Sequence, residues 1–261
     1  MTEIQKDSAI GKQVLAEALN DKFYALREFA ISKINIEKAG DDSILATLER
    51  LAKFDKESSV RSEAIVKLGK SPLPSNYTAS FNAAVGDSSY EVESAAMKAL
   101  EEADSKQAMQ VAKKMENDKN NNVINAVADI YSREGDAAYQ DYFESKLKTV
   151  TGHGKYTLVY YYANFLTRMD KSVVLSGIST IEHVGLNSEG HYMGRATKGS
   201  LQRISDSFED KKTEAKKELA GEESKTAKVS LQEKLNDYDL IIDSVQDALA
   251  QLNKKGSSHK N

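Results

Sequence analysis

Apolar and polar positions recur along this chain in a frame of a little over thirty residues. Asp21 is followed at offsets of five, nine and thirteen by Leu26, Ala30 and Ile34. Asp55 is followed at the same offsets by Val60, Ala64 and Leu68, and Asp87 by Val92, Ala96 and Leu100. Asp118 leads to Val123, Val127 and Tyr131. Weaker copies start at His153 (Leu158, Tyr162, Leu166) and at Asn187 (Tyr192, Ala196, Ser200). The six anchors are spaced by 34, 32, 31, 35 and 34 residues. Self-similarity at such a period marks a solenoid.

Apolar residues four apart line one face of a helix. Aspartate or asparagine in front of that helix is expected to act as its N-cap, because the side-chain oxygen accepts from a backbone N–H that has no helical partner. This capping role outweighs ligand binding for each anchor. The small Ala30, Ala64 and Ala96 let a neighbouring helix come close. Between anchors there is room for a second helix. Residues 43–54 form one, with Ile44, Leu45, Leu48 and Leu51 on a stripe; residues 105–115 form another, with Ala108, Val111 and Ala112. Each unit is then a helical hairpin, and stacked hairpins share a continuous core. The expected fold is all-α, an α-solenoid of about six HEAT-like hairpins with a C-terminal capping helix. Tetratricopeptide repeats have a similar period, but their Trp–Leu–Gly–Tyr pattern is missing.

The expected organisation is a repeat array over 1–220, a heptad-patterned helix over 221–254 and a disordered tail over 255–261. Gly221 reads as a helix stop. After it, Leu231, Leu235, Tyr238, Ile242, Val245, Leu249 and Leu252 alternate steps of four and three, which is a heptad seam. Such a helix either folds back to cap the open end of the array or dimerises; the break at Gly221 favours the hairpin. In KYTLVYYYANFL (155–166), Tyr156, Tyr160, Tyr161 and Tyr162 resemble a stacking platform. Three consecutive helical residues point in three directions, however, so packing between units is the expected role.

Composition narrows the picture without supplying an activity. The 36 basic and 40 acidic side chains nearly cancel to a net charge of −4, which offers no basic face for nucleic acid. There are no cysteines, hence no disulfide or thiolate metal site. No apolar run is long enough to span a membrane. The four histidines, His153, His183, His191 and His259, do not pair at helical ligand spacing, and HExxH is absent. Neither a P-loop nor a GxSxG elbow occurs. No catalytic or metal-binding residue is assigned, and no cofactor is expected for this chain.

Several phrases resemble a known family: DKFYALREFAISKI, DKESSVRSEAIVKLGK, AVGDSSYEVESAAMKALEEAD and LNDYDLIIDSVQDAL. They look like the C-terminal HEAT-type helical region of bacterial aminopeptidase N-like zinc metallopeptidases, the gluzincins. The resemblance runs from about residue 15 to about residue 252. It implies a non-catalytic domain that packs on a missing catalytic domain and restricts peptide access, with zinc belonging to the parent enzyme. None of that family's catalytic motifs carries over. Met115–Glu116–Asn117 spells part of a substrate-holding strand but stands at the end of a predicted helix without the preceding glycine. Partners under this reading are the catalytic domain and a peptide. The chain is a monomer or weak dimer, and the compartment, bacterial cytoplasm or periplasm, is not fixed. The alternative is a free-standing HEAT-repeat scaffold for protein–protein interaction. Under either reading, the residues one past the leading apolar position, Arg27, Arg61 and Glu93, are the candidates for a concave protein- or peptide-binding face.

Overall fold

The computed structural model describes residues 9–36, 42–188 and 191–258. Among them there are helices and turns but no strands. The helices are α1 (Ala9–Leu19), α2 (Tyr24–Lys33), α3 (Asp42–Phe54), α4 (Ser58–Gly69), α5 (Thr78–Ala84), α6 (Tyr90–Ala103), α7 (Ser105–Met115), α8 (Asn121–Glu134), α9 (Gln140–Thr149), α10 (Gly152–Leu166), α11 (Lys171–Asn187), α12 (His191–Gly221) and α13 (Lys225–Ser258). Short 3-10 turns lie at Pro74–Tyr77 and Ala137–Tyr139. The chain divides into two compact units, residues 1–130 and 131–261, and the boundary falls within α8.

In the first unit the helices that follow the aspartates stack in one row, α2 on α4 and α4 on α6. The second helices form a parallel row, α3 against α5, with each row packed on the other through α3–α4, α5–α6 and α6–α7. The alternation follows from the sequence. A short helix with one apolar stripe is marginal alone in water and must bury that stripe on neighbours. The stripes named by the repeat frame are the core: Val60, Ala64, Leu68, Val92, Ala96, Leu100, Val123 and Val127 are all fully buried. On α3, Ile44, Leu48 and Leu51 are buried, and on α7 Ala108 and Ala112. Polar contacts also link the second helices to one another. Ser80 Oγ donates to Glu49 Oε1 at 2.6 Å, and Asn82 Nδ2 donates to Gln107 Oε1 at 2.7 Å.

Two positions of the frame depart from expectation. Leu26 is 44% exposed: among the described residues α2 has a row neighbour on one side only, whereas α4 is flanked on both. Tyr192 is 80% exposed in the first turn of α12, although Ala196 and Ser200 on the same stripe are buried.

In the second unit α9, α11 and α13 stack in alternation with α10 and α12. An aromatic core fills it: Phe143 stacks on Tyr162 at 5.1 Å between centroids and meets Phe165 at 5.0 Å. The tyrosines of α10 do diverge. Tyr162 is fully buried, whereas Tyr156 and Tyr160 are exposed, with the Arg203 guanidinium 4.5 Å from the Tyr160 ring centre. Helix α13 folds back antiparallel on α12: Glu218 lies beside Leu231 near the turn, and Arg195 beside Ala250 towards the other end, with Phe208 against Tyr238 and the Lys212–Asp239 ion pair between them. It also packs on α11. Leu231, Leu235, Ile242, Val245 and Leu252 are buried. The heptad seam is therefore covered by this chain's own α11 and α12. The helix runs on through Ser258, and Lys255 donates to the carbonyls of Leu186 (2.6 Å) and Ser188 (2.9 Å), closing the end of α11. The last part of the expected tail, residues 259–261, lies outside the described residues.

Packing between rows is tight where side chains are small. A Cβ on Gly69 would stand 2.8 Å from the Ala99 Cβ, so α4 and α6 touch there without room for a methyl. Gly199 on α12, by contrast, has nothing within 4 Å of its missing Cβ. Gly69→Ala is expected to destabilise by about 1–3 kcal/mol through overpacking. Gly199→Ala should stabilise by about 0.5–1 kcal/mol through helix propensity. Urea unfolding of the two variants checks this opposition of sign.

Candidate functional site

The anchoring aspartates do not cap in the expected way. Helices α2, α4 and α6 begin three residues after Asp21, Asp55 and Asp87, with Phe23, Glu57 and Ser89 in the N-cap positions. None of these N-cap residues makes a side-chain capping bond. Instead each aspartate accepts from the N–H two residues further on, at Phe23 (2.7 Å), Glu57 (3.0 Å) and Ser89 (2.9 Å). Asp118 does the same with Asn120 at 2.6 Å. This is an Asx turn, which shapes the chain just before the helix. The two weak anchors do not take part. His153 lies inside the first turn of α10, and Asn187 closes α11 by donating to the His183 carbonyl at 2.9 Å. The N-cap bond does form at Asp104, which accepts from Gln107 at the start of α7.

Six residues after each aspartate stands one of the three candidate binding residues. Arg27 donates through Nε and Nη2 to the two carboxylate oxygens of Asp55, at 2.7 and 2.6 Å. Its Nη1 donates to the carbonyls of Asp21 and Lys22. Arg61 repeats the pattern in the next unit. Nε and Nη2 meet Asp87 at 2.8 and 2.7 Å, and Nη1 reaches the carbonyls of Asp55 and Lys56. These side chains are only 12–16% exposed, apart from Asp55 at 5%. Both guanidinium groups thus complete bidentate pairs between successive repeats. The pairing raises both arginines above their ordinary pKa, chiefly through the hydrogen bonds to Asp55 and Asp87. The Arg61 bond likewise lowers the Asp87 carboxyl below its ordinary value.

Glu93 holds the third place in this ladder, and there the charge is reversed. The residue is 8% exposed. Burial first, then the charges of Asp118 and Asp87, push its carboxyl above the ordinary glutamate value. Among the described residues no hydrogen bond or ion pair meets this carboxylate. The structure therefore brings Arg27, Arg61 and Glu93 onto one register, with the two cations engaged within the chain. The Asp–Arg pairing was readable from the fixed offset of six after each aspartate, and sequence reasoning passed over it.

Other polar clusters are structural. Tyr162 Oη donates to Glu144 Oε1 at 2.9 Å and Gln140 Nε2 to the same oxygen at 2.7 Å, in the interior of the second unit. Burial and the Glu144 charge raise the Tyr162 hydroxyl far above its usual range. Lys67 donates to the Ile34 carbonyl at 3.0 Å at the end of α2, and burial lowers its pKa. Among the described residues, no group of three or more histidine, aspartate or glutamate side chains could hold a metal ion. Met115–Glu116–Asn117 falls at the end of α7.

No family model matches the chain, and no curated protein matches it. Solved structures do. The X-ray structure of Escherichia coli YibA aligns over 88% of this chain and 83% of its own, with a TM-score of 0.53 and 19% identity. A HEAT-like repeats protein of the archaeon Thermococcus onnurineus NA1 aligns over 90% of this chain and 100% of its own, with a TM-score of 0.40 and 15% identity. The YibA likeness shows the fold. The chain is an all-α, solenoid-like stack of HEAT-like hairpins.

The ladder has a measurable signature. Arg61→Ala is expected to cost about 2 kcal/mol, since it removes charge-assisted bonds from a mostly buried carboxylate. Arg61→Lys should recover only part, because an ammonium cannot make the bidentate fork. Asp87 has a depressed folded pKa, so its stabilising share is present above the unfolded value and lost as pH falls through the folded one. The gap between wild type and Arg61→Ala in thermal unfolding should therefore narrow below about pH 4.

Proposed function

We propose that this chain is a HEAT-like repeat scaffold that binds other proteins along its stacked hairpins. The translational order of the first unit carries this reading. Helices α2, α4 and α6 repeat in one row beside α3 and α5. An array of this kind offers the same surface positions at regular intervals, which suits an extended partner segment that touches several hairpins at once. The strongest polar interactions between hairpins hold the stack in register, leaving recognition to the side chains between them. The YibA likeness supports the fold that this function needs and does not name a partner.

The reading as the C-terminal domain of a zinc aminopeptidase rests on the resemblance of sequence phrases alone. Its partner would be a catalytic domain carrying HExxH, and the bound segment a peptide in transit.

Cross-linking in the source cells, followed by reconstitution with the purified partner, tests the scaffold. Saturable binding with hydrogen-exchange protection on two or more consecutive hairpins is the expected outcome. Protection confined to one chain end would overturn it. Binding to a peptidase catalytic half, with a changed rate on long peptides, would move the assignment to the aminopeptidase.

A further inference from the structure

We infer that the outer face of the first hairpin, built from Val14 on α1 and from Asp21, Leu26, Phe29 and Lys33 on and just before α2, docks a helix of a partner protein that carries an arginine in its first turn. The docked helix extends the row of α2, α4 and α6 by one place. This inference goes beyond the scaffold reading and does not depend on it.

The repeat specifies what covers this face. Leu26 and Val60 stand five residues after their aspartates; Val60 is fully buried, whereas Leu26 is 44% exposed. Val14 and Leu48 stand seven residues before the same aspartates; Leu48 is fully buried, whereas Val14 is 45% exposed. Phe29, 53% exposed, holds the place of the buried Ala95 on α6 and of the exposed Glu63 on α4. The residues twelve after the aspartates give this face its direction. Lys67 of α4 donates to the Ile34 carbonyl at the end of α2, and Ala99 of α6 stands against Gly69 at the end of α4. Each meets the end of the preceding row helix. Lys33 is the same position on α2, where it is exposed, with its ammonium 4.9 Å from the centre of the Phe29 ring. Apolar side chains from two helices and a cation thus line a face that the next two hairpins cover with a helix.

Charge identifies the occupant. Asp55 and Asp87 each accept a guanidinium fork from the preceding row helix. Asp21 makes the same Asx turn, with Oδ1 accepting the Phe23 N–H. Among the described residues no other donor meets its carboxylate, and Arg27 bonds its main-chain carbonyl. Asp21 is partly exposed, so a group from outside reaches it without opening the core. The face therefore asks for a guanidinium at Asp21 and for a helix C-terminus, whose carbonyls attract a cation, at Lys33. In this chain the same two features are Arg27 and Ile34, seven residues apart on one helix. A partner helix with that spacing and an apolar stripe satisfies both ends and covers Leu26 and Phe29. A second copy of this chain is a poor source. Arg61 is its other arginine about two turns ahead of a helix end, and Asp87 already holds it.

The test uses the full chain and a lactam-bridged peptide copying residues 55–70, which carries an arginine at the required place. Circular dichroism checks its helicity, and the same peptide with Arg61→Gln or Arg61→Lys is the control. Amide chemical shifts are followed by NMR. The expected result is saturable movement confined to α1 and α2 and centred on Val14, Leu26, Phe29 and Lys33. Arg61→Gln in the peptide should weaken binding about tenfold or more, and Arg61→Lys by less. In the protein, Asp21→Asn keeps an acceptor for the Phe23 N–H, and with it the turn, but should weaken binding about tenfold as well. Phe29→Glu, at an exposed position, should abolish it. The wild-type titration needs no variant to fold. No binding of the helical peptide at about 1 mM, movement centred outside α1 and α2, or equal binding of the Arg61→Gln peptide would each overturn the site. Self-association of the chain that covers Leu26 and Phe29, seen by sedimentation and abolished by Phe29→Glu, would overturn the partner helix as occupant. Loss of this site leaves the scaffold standing, since that reading is decided by protection along several hairpins.

Discussion

Everything in the first unit depends on an aspartate that makes two kinds of bond at once. Asp55 Oδ1 accepts the Glu57 N–H within its own turn and the Arg27 Nη2 from the preceding hairpin, while Oδ2 accepts Arg27 Nε. Asp87 does the same with Ser89 and Arg61. One carboxylate therefore sets the entry of its own helix and fixes the distance to the helix before. Hydrophobic burial drives the hairpins together but is not directional. A stripe of Val, Ala and Leu could slide by a turn against its neighbour at modest cost. The bidentate fork cannot, because both its oxygens and its plane are specified.

The second unit keeps the stacking and changes the fastening. Its frame begins at His153 and Asn187, neither of which offers a carboxylate. In their place are an aromatic interior around Phe143, Tyr162 and Phe165, and lysines that reach backbone carbonyls at helix ends, such as Lys211 to Thr167 and Lys255 to Leu186. Lys67 in the first unit is an early instance of the second device. A lysine capping a preceding carbonyl joins two hairpins as the ladder does, but with one flexible stem and less demand on geometry. The array ends with two long helices, α12 and α13, paired along the heptad seam.

The repeat frame made the helix faces legible because burial imposes a period on sequence directly. Val60, Ala64 and Leu68 could be placed in the core from spacing alone, and so could the return of α13 from the Gly221 break. What the frame did not disclose was the direction of its polar residues. An aspartate three residues ahead of a helix and one at the N-cap look alike in sequence, and both are favoured for the same reason, acceptance of a nearby backbone N–H. Only coordinates separate the Asx turn at Asp87 from the N-cap at Asp104. Arg27 and Arg61 stand out in the sequence as binding-face candidates for a similar reason. A charged residue next to an apolar position on a helix is usually solvated, and the partner that withdraws these two from solvent comes from the next repeat, 26 to 28 residues on. Leu26 failed in the opposite sense, since periodicity marks the apolar face but not whether a neighbour stands against it.

The reversal at Glu93 is best understood against this economy of polar groups. Elsewhere the first unit answers a buried charge with its opposite, as at Asp55 and Asp87. A carboxylate set between two others, in a position built for a cation, works against the fold by burial and by repulsion together. Because its folded pKa is raised, the folded chain holds the proton more tightly than the unfolded chain does. Stability contributed by the protonated form is then present at low pH and lost as pH rises through the raised value. A neutral or basic residue would relieve that conflict at once. Local conflicts of this kind tend to sit where a protein meets something else, since binding can repay what folding alone does not. The same reasoning separates Glu93 from Glu144, a second acid turned inward, whose carboxylate is met by Tyr162 and Gln140 and so is complete within the chain.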